Sequence, residues 1–337
     1  MNKNTITLMV LLALALAAQI ARAEKIKRLS GEPKPRLTAA QIKELEQKES
    51  EEHPVEGYVS VQTVVDCFDE MSYQYTGGRY QDTEIKFRLR QPNEIKPGQK
   101  YPLIIDFHGK GESDNDNRRQ LAHLQHTIEF LAGPKSLDFF MLATQCPKDN
   151  PYWTTSISME DGKGDAPMTI AREILEAVIK EFPIDEDRIS VFGVCSGGMA
   201  AWQFVMDSPE RFASLVACSA TPPAGPILKD VNIWAFGCAK DRGISIGQLR
   251  ETVKKTNANG GSAFLTEVES ENHDSWREAL NRKKVVAWMV NQERHSVYSP
   301  PPGIVLRFWT WPQVFAYFGL PLCGIVILLV IRQRSRI

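Results

Sequence analysis

This sequence carries no excess of charge of either sign: 40 Lys and Arg against 41 Asp and Glu leave a net charge of -1. No bulk field therefore recruits nucleic acid or an anionic surface, and partners have to be argued from individual sites. The chain also lacks a Walker loop, a supported dinucleotide fingerprint and any zinc-ligand spacing, so the residues imply neither cofactor nor metal. His123 and His126, on one expected helix, come nearest to a metal pair, but no third ligand is evident and two helix-surface histidines are the preferred reading. Internal repeats are absent as well.

Both ends have non-globular patterns. Met1-Asn2-Lys3 is followed by an apolar run over residues 8–20 and by Ala21-Arg22-Ala23, a small-residue pattern that signal peptidase cuts. Residues 1–23 read as a signal peptide, with an uncleaved N-terminal anchor as the alternative; either one exports the chain. Residues 24–57 combine prolines with a charged stretch at 43–52 and have too few apolar residues to bury a face, so a solvated stalk is expected. Residues 298–310 join the stiff run Ser299-Pro300-Pro301-Pro302-Gly303 to the start of an aromatic belt at Phe308 and Trp309.

Residues 311–331 are almost wholly uncharged, long enough to cross ~30 Å of hydrocarbon, and read as a transmembrane helix kinked at Pro321. Arg332, Arg334 and Arg336 make residues 332–337 a basic cytoplasmic tail, which puts the bulk of a single-pass membrane protein outside the cytoplasm. A buried C-terminal helix is the alternative; Pro312, Pro321 and the terminal arginines fit it poorly. What remains, residues 58–297, suits one large α/β domain.

Within that unit short apolar runs alternate with helical patterns, as a mostly parallel sheet flanked by helices requires. Strands are expected at 85–89, 102–107, 139–143, 189–194, 213–218, 233–237 and 264–268, and helices at 118–131, 168–181, 198–206, 245–256 and 275–290.

The strand at 189–194 runs into Gly193-Val194-Cys195-Ser196-Gly197-Gly198 and then a helical pattern. Strand, sharp turn and helix is the setting of a nucleophile elbow, where the central residue is strained and glycines let backbones pass closely. Cys195 is central in a G-x-nucleophile-x-G frame; Ser196 is the alternative nucleophile if the frame shifts by one, although Val194 would then occupy a small-residue position. A thiol suits this place because a helix N-terminus and a neighbouring imidazolium both favour thiolate. The amide of Ser196 would supply one oxyanion donor, and the amide of Lys110, in the glycine turn His108-Gly109-Lys110-Gly111, the second. His108 itself is expected to hold the loop rather than move protons.

Further on, one strand leads to Asp241 and the next to His273, giving the order nucleophile, acid, histidine of α/β-hydrolases. Asp241 would orient His273, and His273 would ionise Cys195 and later protonate the leaving group; Asp274 and Asp230 are lesser candidates for the acid. Trp153 and Trp276 are candidate walls of an acyl or sugar pocket, and ordinary core packing accounts for each about as well.

Taken together, residues 101–109, Gly111-Glu112, Asn115-Asp116-Asn117, the lead-in Asp185-Glu186-Asp187-Arg188-Ile189, Pro209-Glu210-Arg211-Phe212-Ala213 and His273-Asp274-Ser275-Trp276 resemble secreted esterases of the polyhydroxybutyrate depolymerase and feruloyl or acetyl-xylan esterase type. The resemblance implies an α/β-hydrolase fold and an ester substrate, small or polymeric, with acylated carbohydrates among the candidates. It also adds weight to Asp241 and His273. Those esterases carry Ser in the elbow, whereas Cys195 resembles the choice made by dienelactone hydrolases; and where they read His-Gly before the acid loop, this chain has Gly237-Cys238.

Cys67, Cys146, Cys195, Cys218 and Cys238 make an odd set in the exported part, so two disulfides would leave Cys195 free, with Cys218 and Cys238 also able to stay unpaired. The leading reading is a membrane-anchored extracytoplasmic ester hydrolase with a Cys-His-Asp triad. The alternatives are a catalytically lapsed hydrolase domain that binds a glycan or surface partner, and a thiol peptidase or acyltransferase.

Overall fold

The computed structural model describes residues 25–29, 59–78, 80–131, 137–153, 167–282 and 285–295, with isolated positions at 40, 41, 44 and 47. The expected signal peptide (1–23), linker and aromatic belt (298–310), membrane span (311–331) and basic tail (332–337) lie outside the described residues. Among the described residues no helix is long and apolar enough to cross a membrane.

The strands are β1 (Ile26–Arg28), β2 (Asp69–Gly77), β3 (Tyr80–Arg90), β4 (Tyr101–Phe107), β5 (Phe140–Ala143), β6 (Ile184–Val194), β7 (Ser214–Cys218), β8 (Asn232–Cys238) and β9 (Ser262–Val268). They form one nine-stranded sheet in the order β1-β2-β3-β5-β4-β6-β7-β8-β9. Every pair from β5 to β9 in that order is parallel, and β1, β2 and β3 add an antiparallel edge. The α-helices are α1 (Val61–Val65), α2 (Ile128–Leu131), α3 (Pro167–Glu181), α4 (Ser196–Met206), α5 (Ile246–Ala258) and α6 (Val285–Val290).

The central strands read as continuous apolar runs because both faces of the sheet are covered. Ile105, Val191, Leu215 and Ile233 lie in register across β4, β6, β7 and β8, and all are fully buried in one core with Ile174 of α3, Phe204 of α4 and Leu249 of α5. The neighbouring positions Ile104, Phe192, Val216 and Trp234 face a second core, with Leu121, Leu124 and Trp288 of α6. Alternation along each strand thus feeds two cores, one on each side of the sheet.

Four expectations need correction. Ile26–Arg28 lies in the segment expected to be a solvated stalk, yet it pairs with β2, and Arg28 reaches Asp69 at 3.2 Å. β2 is absent from the expected strands; in the fold Glu70 pairs with Lys86 of β3 at 3.3 Å, so cross-strand partners replace water. The expected helix at 118–131 is a 3-10 helix over Arg119–His126 followed by α2. Its buried positions Gln120, Leu121, His123 and Leu124 repeat every three residues, which suits three residues per turn. The expected helix at 275–290 is interrupted: Glu278–Arg282 forms a π-turn before α6 begins.

Candidate active site

β6 stops at Val194 and α4 starts at Ser196, leaving Cys195 alone in the turn with φ 53° and ψ -122°. A non-glycine residue with positive φ costs roughly 1–3 kcal/mol and persists only where its surroundings impose it. Here they do. The Cys195 amide donates to the Cys218 carbonyl at 2.9 Å, and the Cys195 carbonyl accepts from the Met199 amide at 3.1 Å. A Cβ on Gly193 would collide with the carbonyl oxygen of Gly197, and one on Gly197 with the carbonyl oxygens of Phe107 and His108. The two glycines therefore let β4, β6 and α4 converge under the turn. Ser196 is the first residue of α4, and its Oγ is buried without a partner.

The His273 side chain and the backbone amides of Ser196 and Lys110 surround the Cys195 thiol, and each favours its ionised form. Burial of the thiol works to raise its pKa, but the His273 hydrogen bond and charge together with the two amides outweigh it, and the thiol is held below its ordinary range. His273 is correspondingly pushed up to about 9, first by its hydrogen bond to Cys195, against burial, and then by Asp241. A thiolate–imidazolium pair is the state these shifts favour.

The loops after β8 and β9 bring the remaining partners in. His273 Nδ1 lies 2.7 Å from Asp241 Oδ2, and the Asp241 side chain is 2% exposed while that of His273 is 37% exposed. The histidine loop is tied down two residues later, where the Ser275 amide donates to Ser219 Oγ at 3.2 Å and the two hydroxyls meet at 2.8 Å. Trp276 stands edge-on to His273, ring centroids 6.2 Å apart. Asp274 turns to Arg277 at 3.1 Å instead.

On the other side, β4 delivers His108-Gly109-Lys110. Lys110 Nζ donates to Tyr152 Oη at 2.6 Å, which draws the side chain outward, while its amide favours the Cys195 thiolate. Both His108 ring nitrogens are used by backbone: Nδ1 bonds the Gly109 carbonyl at 2.6 Å and Nε2 accepts the Cys146 amide at 2.9 Å. Burial holds His108 down to about 3, so it stays neutral and braces the loop.

Trp153, expected as a pocket wall, is only 2% exposed. Its Nε1–H donates to the His108 carbonyl at 2.9 Å and its ring meets Phe107 edge-on at 4.8 Å, so it buttresses this loop from inside the core. Glu112, given no role by the sequence, places Oε2 beside Gly109 next to Cys195; burial raises its pKa against the nearby His123 and Arg119. His123, expected on a helix surface, is buried against Asp106 at 2.9 Å. The sequence signal for that pair is one charged residue inside the apolar run of β4, since a carboxylate in such a run requires a buried partner. None of Cys67, Cys146, Cys195, Cys218 and Cys238 is bridged, which removes the two-disulfide partition.

A mostly parallel sheet flanked by helices, with Cys195 in a strained turn after one strand and Asp241 and His273 on the loops after two later ones, fits an α/β-hydrolase. The Esterase family model matches residues 79–299, and the chain belongs to that family. Among solved structures it is similar to a thermostable esterase, with 28% identity and a TM-score of 0.60 over 68% of this chain and 64% of the other. It thus spans just under two thirds of that protein's length. A ferulic acid esterase shares the fold at 13% identity and a TM-score of 0.51, over 65% of this chain and 95% of the other. No curated protein matches the chain.

Proposed function

We propose that this chain hydrolyses carboxylic esters through a thiol acyl-enzyme, exported across a membrane and held there by residues 311–331. The observations that carry the reaction are the strained turn that holds Cys195 between β6 and α4 and the His273–Asp241 pair beside it, with His273 and the amides of Ser196 and Lys110 favouring the ionised thiol, as a nucleophile beside an oxyanion site requires.

In acylation the Cys195 thiolate attacks the ester carbonyl carbon. The oxygen that becomes negative takes the amides of Ser196 and Lys110, which are fixed before the substrate arrives. As the carbon–oxygen bond breaks, the His273 imidazolium gives its proton to the departing alkoxide, leaving a thioester and a neutral imidazole. The charge on sulfur is now gone, and with it the first cause of the raised His273 pKa. The histidine is therefore a free base in the acyl-enzyme. It takes a proton from water, the hydroxide adds to the thioester, and the tetrahedral intermediate expels the thiolate with the acid as product.

The test is turnover by the full-length protein in detergent on short-chain aryl esters and acylated sugars, beside Cys195→Ala, with intact-protein mass spectrometry to trap the acyl group. Hydrolysis by the wild type with the acyl group on Cys195 supports the proposal; turnover retained in Cys195→Ala overturns it. Absence of turnover on every ester would favour a binding domain. The tether is tested by fractionation: a chain ending at residue 303 should be recovered outside the membrane fraction.

A further inference from the structure

A second carboxylate–imidazole pair lies behind the oxyanion loop and has no part in the chemistry above. Asp106, 1% exposed, and His123, 5% exposed, meet through Oδ1 and Nε2 at 2.9 Å. The His123 ring also stacks on Phe192 of β6, centroids 5.9 Å apart at 19°. Burying two such groups costs several kcal/mol before their attraction is counted, and an apolar pair of similar volume would stabilise the fold at least as well. What an apolar pair would not do is fix a direction and a distance.

The position of the pair suits that role. Asp106 stands at the end of β4, immediately before Phe107 and the oxyanion loop, and Phe107 is in register with Gly193 of the nucleophile strand. His123 belongs to the 3-10 helix that ends the loop. The segment that carries Lys110 thus begins and ends at one hydrogen bond. Its middle is held elsewhere: Asn117 accepts Arg88 Nε on its carbonyl at 2.7 Å and gives its amide to Gln145 Oε1 at 2.8 Å. Those ties lead to β3 and to the loop after β5, and neither fixes the segment to β4.

We propose that Asp106 and His123 are positioning residues whose hydrogen bond closes the oxyanion loop onto β4 and so sets where the Lys110 amide meets Cys195. The proposal rests on the reading of that amide as an oxyanion donor. Three titratable groups face His123: Asp106, Glu112 and the neutral His108. Burial pushes the Asp106 and Glu112 carboxyls up and disfavours charge on His123, while the Asp106 contact still holds His123 above the ordinary imidazole range, so one proton is held between Asp106 and His123.

The experiment compares full-length wild type with His123→Leu, His123→Gln and Asp106→Asn. Two quantities are read: kcat and KM on an aryl ester, and the pH midpoint of Cys195 alkylation by iodoacetamide, followed by peptide mass spectrometry. Loosening an amide donor should lower kcat about ten-fold or more in His123→Leu while KM stays within about two-fold. The alkylation midpoint should move upward, because the sulfur loses a donor that stabilises thiolate. His123→Gln, which still offers Asp106 a donor, should recover most of both effects, and Asp106→Asn should fall between.

A drop in melting temperature with kcat and the alkylation midpoint unmoved would overturn the proposal. If the wild type shows no esterase activity, the alkylation midpoints still decide this question on their own. If the variants do not fold, hydrogen exchange of the wild type decides it: residues 109–115 should exchange no faster than 119–126, and faster exchange sinks the closure.

Discussion

His273 Nδ1–H donates to Asp241 Oδ2 at 2.7 Å, and Oδ1 of the same carboxylate accepts the Gly243 amide, also at 2.7 Å. With both oxygens engaged, the carboxylate holds the ring in one tautomer and one plane and leaves Nε2 for Cys195. Asp241→Asn keeps the shape and removes the charge, so the imidazole is offered the wrong partner. The expected loss in kcat is about 10³- to 10⁴-fold, with a melting temperature close to wild type. A loss below ten-fold would return Asp274 to consideration as the acid.

The shifts at Cys195 and His273 have opposite signs, and the pH profile follows from them. A thiol held below its ordinary range is ionised early as pH rises, and an imidazole pushed up to about 9 keeps its proton until about 9. The acylation burst should therefore rise with thiolate formation and fall as pH passes about 9, when the proton donor is lost. Alkylation of Cys195 by iodoacetamide needs no proton donor and should not fall there. Cys195→Ala removes the largest cause of the His273 shift, so the imidazole NMR titration should move down; a titration that stays in place would deny the pairing.

The Trp153 indole supports the loop that carries Lys110 from within the core, as a buttress rather than a pocket wall would. Trp153→Phe keeps the packing against Phe107 and leaves the His108 carbonyl without its indole donor, at a cost of about 1–3 kcal/mol. Because the loss falls on the loop that carries Lys110, kcat should drop while KM changes little. A rise in KM with kcat preserved would restore the pocket-wall reading.

The legible part of this molecule is the part where both sheet faces are buried. β4 and β6 declare themselves as apolar runs with no periodicity to decipher, and the glycines around Cys195 mark the turn because nothing larger fits between β4 and α4. β2 was hidden because its charges are satisfied across the sheet by Arg28 and Lys86, a pairing invisible before the fold is known. His123 lies away from its expected surface, and Trp153 takes the core alternative, for a related reason: a polar atom on a large ring signals either solvent or a buried partner, and only tertiary structure supplies the Asp106 carboxylate or the His108 carbonyl. Order along the chain is enough to bring Asp241 to His273, since consecutive strand ends converge whatever their loops do.

Gly197 and Ser196 are neighbours in the elbow with opposite demands, and substituting each in turn tests its construction. A Cβ at Gly197 meets the carbonyl oxygens of Phe107 and His108, which are backbone at the end of β4 and cannot swing aside as a side chain could. Gly197→Ala should cost about 1–3 kcal/mol or more and should also lower kcat, because β4 can yield only by carrying the Lys110 amide away from the sulfur. Ser196→Ala keeps its amide and removes an Oγ buried without a partner, so stability should hold within about 0.5 kcal/mol or improve. Thermal melts and kcat on the two variants, beside Cys195→Ala, measure the contrast. Activity lost in Ser196→Ala and kept in Cys195→Ala would move the nucleophile to Ser196 and with it the frame of the whole turn.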